Sequence, residues 1–246
     1  MDFLFDKDIF LLTNNPVALG SRDHTGGFAH VESGGSGIDN FTDLTEFAED
    51  LKAYFPGKKT LLDFGTATGT VPLTGRKAGL LSVGIEGSSG FPAKNQGAWK
   101  EMPDIVRTCD AGKPWRIVDK AGRNVIFDFI ISWGTVEHIP VQDFQTCMEN
   151  ILAHIDENSI IMLNIDLGYN ETDGFHMLWE TFDWKGQRAP AMIFLEEALS
   201  KYFIIDKELE KINWRYSRPT KAEVDAVRDQ GWTAKEGRSY WWLRKR

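Results

Sequence analysis

The run Leu61-Leu62-Asp63-Phe64-Gly65-Thr66-Ala67-Thr68-Gly69-Thr70 holds the residues best placed to do chemistry. A short apolar stretch ends at Phe64, small residues make a tight turn, and helical spacing resumes near Thr70. Such a turn lets a ligand lie close to the backbone, over the exposed amides of a helix N-terminus. Two ligand classes use it, dinucleotides and S-adenosylmethionine. A dinucleotide site wants G-x-G-x-x-G so that a pyrophosphate can rest on the helix. The equivalent positions here read Gly65, Ala67 and Thr70. Asp63 precedes the first glycine by two places. A carboxylate there repels a pyrophosphate and attracts a sulfonium ligand that carries an amino group. The turn favours the cationic ligand.

Two further carboxylates follow at suggestive places. Glu86 closes Val83-Gly84-Ile85-Glu86, at the carboxyl edge of the next expected strand, where it can accept hydrogen bonds from both ribose hydroxyls. NAD enzymes share that feature, so Glu86 supports a nucleoside ligand without choosing one; its plainer alternative is an exposed charge at a strand end. Asp110, in Thr108-Cys109-Asp110-Ala111, is either an acceptor for an adenine amino group or an ordinary turn residue.

These residues need a frame. Leu44, Phe47, Ala48, Leu51, Tyr54 and Phe55 fall at helical spacing behind Thr42, and Pro56-Gly57 stops the helix. Strands are expected at 60–64, 80–85, 104–108, 127–132 and 159–165, with helices at 70–78, 92–101, 141–155 and 194–203 between and after them. Alternating strands and helices predict βαβ units and a mostly parallel sheet covered on both faces. Residues 203–206 and 239–243 are strand-like, separated by a polar stretch at 221–231 that could be a helix. Residues 1–41 read as a loop-rich lead-in, a surface arm or a substrate lid, because Gly26-Gly27 and Ser33-Gly34-Gly35-Ser36-Gly37 interrupt any period. Residues 42–246 then form a single domain.

Composition narrows the function classes. The 246 residues carry 28 basic against 36 acidic side chains, net −8, which disfavours a protein built to wrap nucleic acid or an anionic membrane. Cys109 and Cys147 lie far apart without a CxxC pairing, so no disulfide framework or cysteine zinc site is expected, and Cys147 falls on an apolar helix face. Glu171, Asp173 and His176 match no metal-ligand spacing, and no metal is expected. The acidic start lacks signal-peptide order and no apolar run approaches a membrane span, so a cytoplasmic protein is expected.

Taken in order, Asp63-x-Gly65-x-Ala67-x-Gly69, Glu86, Asp110 and Phe127-Asp128-Phe129-Ile130-Ile131-Ser132-Trp133-Gly134-Thr135-Val136-Glu137-His138-Ile139 resemble the ordered motifs of class I S-adenosylmethionine-dependent methyltransferases. The resemblance spans about residues 58–170. It implies a Rossmann-like, doubly wound, seven-stranded α/β sheet, mostly parallel, whose last two strands form an antiparallel hairpin. It implies S-adenosylmethionine as cofactor, with Asp63, Gly65, Thr66, Ala67 and Gly69 at its amino-acid part, Glu86 at the ribose, Asp110 at the adenine, and Trp133 bordering the methyl group. Ala67 departs from the family pattern by standing at the middle glycine.

Methyl transfer from a sulfonium is an in-line displacement that needs alignment and exclusion of water rather than a protein nucleophile. A hydroxyl acceptor gains from a general base. His138, with Glu137 beside it, is the first candidate and His176 the second; a helix-capping histidine is the plainer reading of His138. Tyr169, Phe175, Trp179, Phe182 and Trp184 could stack on a sugar or aromatic acceptor, or pack the segment onto the sheet edge. Nucleic-acid acceptors are disfavoured, since Ser132-Trp133-Gly134-Thr135 stands where adenine-amino methyltransferases carry an Asn/Asp-Pro-Pro-Tyr/Phe run. A small-molecule or glycan acceptor is expected, with no nucleic-acid or membrane partner. Two alternatives stand beside this: an NAD-dependent oxidoreductase, and a catalytically inactive methyltransferase-like binding module, for which Ala67 is the feature.

Overall fold

The computed structural model describes residues 2–5, 8–17, 42–136, 139, 141–166, 191–212 and 238–246. Among the described residues, ten strands run in chain order: β1 (Asp2–Phe5), β2 (Ile9–Thr13), β3 (Thr60–Phe64), β4 (Leu81–Glu86), β5 (Val106–Thr108), β6 (Trp115–Asp119), β7 (Phe129–Trp133), β8 (Ile160–Asp166), β9 (Phe203–Ile205) and β10 (Arg238–Lys245). The helices are α1 (Thr42–Tyr54), α2 (Thr70–Lys77), α3 (Gly90–Lys94), α4 (Ala98–Glu101), α5 (Val141–Leu152), α6 (Ala191–Ser200) and α7 (Lys207–Ile212).

Seven strands make the main sheet in the order β5-β4-β3-β7-β8-β10-β9. β3 pairs in parallel with β4 and with β7, β4 with β5, and β7 with β8. β10 runs antiparallel between β8 and β9. The expected doubly wound sheet with its antiparallel closing hairpin is present. The chain leaves β3 toward β4 and β5, then returns to the other side of β3 as β7. That reversal opens a crevice at the carboxyl ends of β3 and β7, where open α/β sheets receive ligands.

Both faces are apolar because both are covered. On one, Leu61, Phe129, Ile131, Ile160, Met162 and Trp242 pack with Leu51 of α1, Val71 of α2 and Leu209 of α7. On the other, Leu62, Phe64, Val83, Ile85, Ile130, Ile161 and Leu163 pack with Phe144, Cys147, Met148 and Ile151 of α5 and Leu199 of α6. Cys147 is a core residue, as expected, and burial pushes its thiol well above the ordinary value.

Three readings differ from the structure. The start of the lead-in is not loop: β1 and β2 form an antiparallel hairpin, and β2 pairs with β6 in a second, three-stranded sheet. Ile9 and Leu11 of that sheet join the core, together with Trp115 and Ile117 of β6, a strand not anticipated. The single helix expected at 92–101 is two short ones, because Asn95 and Gly97 both take positive φ (49° and 54°), the first closing α3 and the second preceding α4. Residues 221–231 and the glycine clusters of the lead-in lie outside the described residues.

His154 fastens β6 to the main body. Its Nε2 accepts the Ile117 backbone N–H at 2.8 Å, which leaves the proton on Nδ1, 2.7 Å from the Asn150 carbonyl. Burial holds this imidazole below its ordinary pKa, in the neutral form the two bonds require.

Candidate active site

The turn after β3 is held by backbone bonds to the next strand. Gly65 and Thr66 both donate their N–H to the Ile85 carbonyl, at 2.8 and 3.0 Å, and Gly69 closes the turn onto the Thr66 carbonyl at 2.7 Å. Gly65, Ala67 and Gly69 all have positive φ (73°, 49° and 75°). Glycine is also demanded by space at two of them. A Cβ on Gly65 would sit 1.8 Å from Thr135 Oγ1, and one on Gly69 would sit 2.5 Å from the Ala98 Cβ. Ala67 takes the left-handed conformation usual for glycine, which costs an alanine on the order of 1 kcal/mol. The departure at Ala67 therefore changes the residue but not the backbone shape of the turn.

Two buried carboxylates flank that turn. Asp63, near the end of β3, receives the Thr66 hydroxyl on Oδ2 at 2.6 Å, while its Oδ1 has no hydrogen-bond partner among the described residues. Burial pushes its carboxyl up to about 7; the Thr66 bond pulls it down and the neighbouring Glu86 charge adds to the rise. Glu86, the last residue of β4, accepts the Ala67 N–H on Oε2 at 2.7 Å and the Ser88 N–H on Oε1 at 2.8 Å. Burial pushes it also to about 7, against those backbone bonds. An enclosed carboxylate with one idle oxygen fits an ammonium group, and Glu86 retains lone pairs for hydroxyl donors. These residues fit S-adenosylmethionine on their own chemistry.

Asp110 joins the cluster through the chain: the Cys109 N–H donates to the Glu86 carbonyl at 2.8 Å. The Asp110 carboxylate accepts the Gly112 N–H at 2.9 Å, and its own N–H donates to the Asn15 carbonyl at 3.0 Å, so the lead-in reaches the site. Burial raises its pKa, opposed by the Gly112 bond and Lys113. Trp133 ends β7, half-buried, on the far side of the crevice from β4. Thr135 spans the crevice, its hydroxyl 3.4 Å from the Gly65 carbonyl and 3.3 Å from the Trp133 carbonyl.

The structure thus brings Asp63, Gly65, Thr66, Ala67, Gly69, Glu86, Asp110 and Trp133 to one margin of the sheet. Glu137, His138 and His176, with the aromatic run Tyr169–Trp184, lie outside the described residues. Sequence reasoning missed Trp99, whose Nε1–H donates to the Ala67 carbonyl at 2.8 Å, and the adjoining Ala98, whose N–H donates to the Thr68 carbonyl at 2.9 Å. It also missed Gly84, which faces Asp63 in register and makes room for Thr66: a Cβ there would lie 2.8 Å from that side chain. No motif marks Trp99, because its contact depends on how α4 folds back. Among the described residues no helix is long and apolar enough to cross a membrane, and no cluster of His, Cys, Asp and Glu has metal-site geometry.

Comparison with known proteins agrees with the geometry. A methyltransferase-domain family model matches residues 39–222. A TehB-like SAM-dependent methyltransferase from Corynebacterium glutamicum is similar at a TM-score of 0.55 and 16% identity, over 89% of this chain and 99% of that one. A mitomycin 7-O-methyltransferase is similar at 0.51 and 11% identity, over 85% of this chain and 55% of that one. A glycopeptide N-methyltransferase complexed with sinefungin matches half of each chain (50% and 50%) at 11% identity and a TM-score of 0.39. The chain spans about half the length of the latter two proteins. No curated protein sequence matches it. At such identities the structural likeness speaks for the fold, and the NAD-dependent alternative finds no support in it. With the family model covering most of the described main sheet, the chain belongs to the class I S-adenosylmethionine-dependent methyltransferases.

Proposed function

We propose that the protein transfers a methyl group from S-adenosylmethionine to a small-molecule or sugar acceptor. The observation that carries this reading is the pair of buried carboxylates on either side of the glycine-lined turn. Asp63 offers its idle Oδ1 to the ammonium group, and Glu86, fixed by the Ala67 and Ser88 amides, offers its remaining lone pairs to the ribose. Asp110 borders the adenine, and Trp133 walls the side from which the acceptor approaches. When bound, S-adenosylmethionine supplies an electrophilic sulfonium methyl. The chain's task is to align it with the accepting atom and keep water away.

For an acceptor that must lose a proton, His138 is the general base with Glu137 beside it, and His176 is the second candidate; all three are assigned from chain position. Residues 42–246 form the catalytic domain and residues 1–41 the lead-in. The small-molecule class is supported by the negative net charge and by the similar fold of the mitomycin 7-O-methyltransferase, and a sugar is kept beside it as a further hydroxyl-bearing acceptor. A cytoplasmic setting accords with two free buried cysteines.

The test is calorimetric titration of S-adenosylmethionine and S-adenosylhomocysteine, with NAD for comparison, into the wild type and Glu86→Ala. Micromolar binding of the sulfur ligands, weakened in the variant and absent for NAD, is the expected result. Folded protein that binds neither sulfur ligand would overturn the reading.

A further inference from the structure

Beyond the carboxylate pair, the same margin of the sheet buries another polar side chain with unused hydrogen-bonding atoms. Asn164 lies near the end of β8 with 0% of its surface exposed, and neither Oδ1 nor Nδ2 has a partner among the described residues. Burying a carboxamide without partners is destabilising, so a folded protein that keeps one has a use for it. The backbone around it is committed. Asn164 pairs in register with Trp133 on β7 and Tyr240 on β10, and its carbonyl accepts the Gly134 N–H at 2.9 Å. The strand cannot slip to relieve the side chain without turning its core residues outward.

The register also says what Asn164 is not for. Asp63 pairs with Ile131, Trp133 follows two residues later, and Trp133 pairs with Asn164, so all three share one face of the sheet. Two strand spacings and two residues of rise separate the Asp63 and Asn164 backbones, roughly 12 Å. The extended chain from an ammonium nitrogen to a sulfonium methyl in S-adenosylmethionine is roughly 6 Å at ordinary bond lengths. A cofactor held at Asp63 falls well short of Asn164, with Trp133 between them. The idle carboxamide lies beyond the reach of that methyl, on the far side of Trp133 from Asp63.

We infer that Asn164 is a specificity-determining residue of the acceptor pocket, holding a neutral, hydroxyl-bearing acceptor through both ends of its carboxamide. The inference rests on the methyltransferase reading above and deepens it. A hydroxyl both donates and accepts, so it can engage Oδ1 as well as Nδ2; a carboxylate or phosphate engages Nδ2 alone and sets its charge against Oδ1.

Two variants test this. Asn164→Leu keeps the shape and removes both polar ends, and Asn164→Asp keeps only acceptor capacity. The probes are myo-inositol, methyl α-glucoside and catechol, with glucuronate and benzoate as anionic counterparts, offered with methyl-labelled S-adenosylmethionine. The expected result has three parts. Asn164→Leu binds S-adenosylhomocysteine within twofold of wild type, melts at or above the wild-type temperature, and labels the hydroxylated probes at least tenfold more slowly, with Asn164→Asp also impaired. Label confined to the anionic probes, equal transfer by wild type and Asn164→Leu, or a clearly lower melting temperature for Asn164→Leu would each overturn the inference. Failure of the wild type to bind S-adenosylhomocysteine is a different result, and removes the methyltransferase reading together with the inference built on it.

Discussion

The Ala67 backbone N–H donates to Glu86 Oε2 at 2.7 Å, so the residue that departs from the family's glycine pattern orients the carboxylate expected to hold the ribose. Turn and carboxylate are one unit. Glu86→Ala leaves the Ala67 and Ser88 amides without their acceptor and is expected to weaken S-adenosylhomocysteine binding about 10- to 100-fold, the scale of lost bonds to a charged group. Glu86→Gln keeps one acceptor oxygen and should fall between the two. Titration calorimetry ranks the three proteins; an Ala variant that binds like wild type removes Glu86 from the site.

Protonation links binding and stability with opposite signs. Asp63 and Glu86 are both pushed up to about 7 by burial, so the free folded protein holds protons that the unfolded chain has released. Their contribution to stability is complete below about pH 4 and is lost as pH rises through 7. His154 works the other way: its lowered pKa makes stability fall as pH drops below its ordinary value. A cationic ligand needs Asp63 ionised, so S-adenosylmethionine affinity should rise between pH 6 and pH 8 with release of protons. Titrations in buffers of different ionisation enthalpy count those protons. Proton uptake, or affinity independent of pH, would contradict this electrostatic account.

Gly65 and Gly122 both have positive φ, yet only Gly65 is hemmed in. Gly122→Ala meets nothing within 4 Å and should cost only the conformational penalty, about 1 kcal/mol. Gly65→Ala must displace Thr135 as well and is expected to cost at least about 2 kcal/mol more. Urea denaturation midpoints compare the two. Adding Thr135→Ser to Gly65→Ala should recover part of the loss by removing one of the atoms in the way.

Trp99→Phe deletes the indole N–H that holds the Ala67 carbonyl while keeping an aromatic ring against the cluster of Leu73, Ile105 and Val106. A neutral hydrogen bond is worth about 1 kcal/mol, so cofactor affinity should fall about fivefold. The melting temperature should shift by no more than a few degrees. A large loss of stability with unchanged affinity would show that Trp99 serves the core instead of the turn.

His138→Ala should lower kcat about 10²- to 10⁴-fold if the acceptor loses its proton in the reaction, with S-adenosylhomocysteine affinity intact. His176→Ala is the internal comparison. Comparable kcat values for wild type and His138→Ala would end its candidacy.

The turn after β3 was legible because its chemistry depends on residues close in sequence: a carboxylate, small residues and a helix start. Glu86 was legible for the same reason, one strand further on. Trp115–Asp119 escaped notice because a five-residue strand between Lys113-Pro114 and Lys120-Ala121 carries little periodic signal, and its partner is β2. Ile9–Thr13 is mostly apolar, but it is short and the glycine clusters further along leave residues 1–41 without a sustained period. Trp99 and Asn164 were beyond sequence reasoning. The first matters through a contact made by a broken helix, the second through an absence that only three-dimensional neighbours reveal.

The three-stranded sheet has a consequence for the order in which the molecule assembles. Ile9 pairs with Asp119 and Thr13 with Trp115, so the hairpin of β1 and β2 joins its third strand only across a long stretch of intervening chain. Closing so large a loop is entropically unfavourable until β6 has already been fastened by His154. The β1–β2 hairpin is thus among the last parts to dock, and pulse-labelled hydrogen exchange during refolding should find the Leu11 amide protected after that of Leu62.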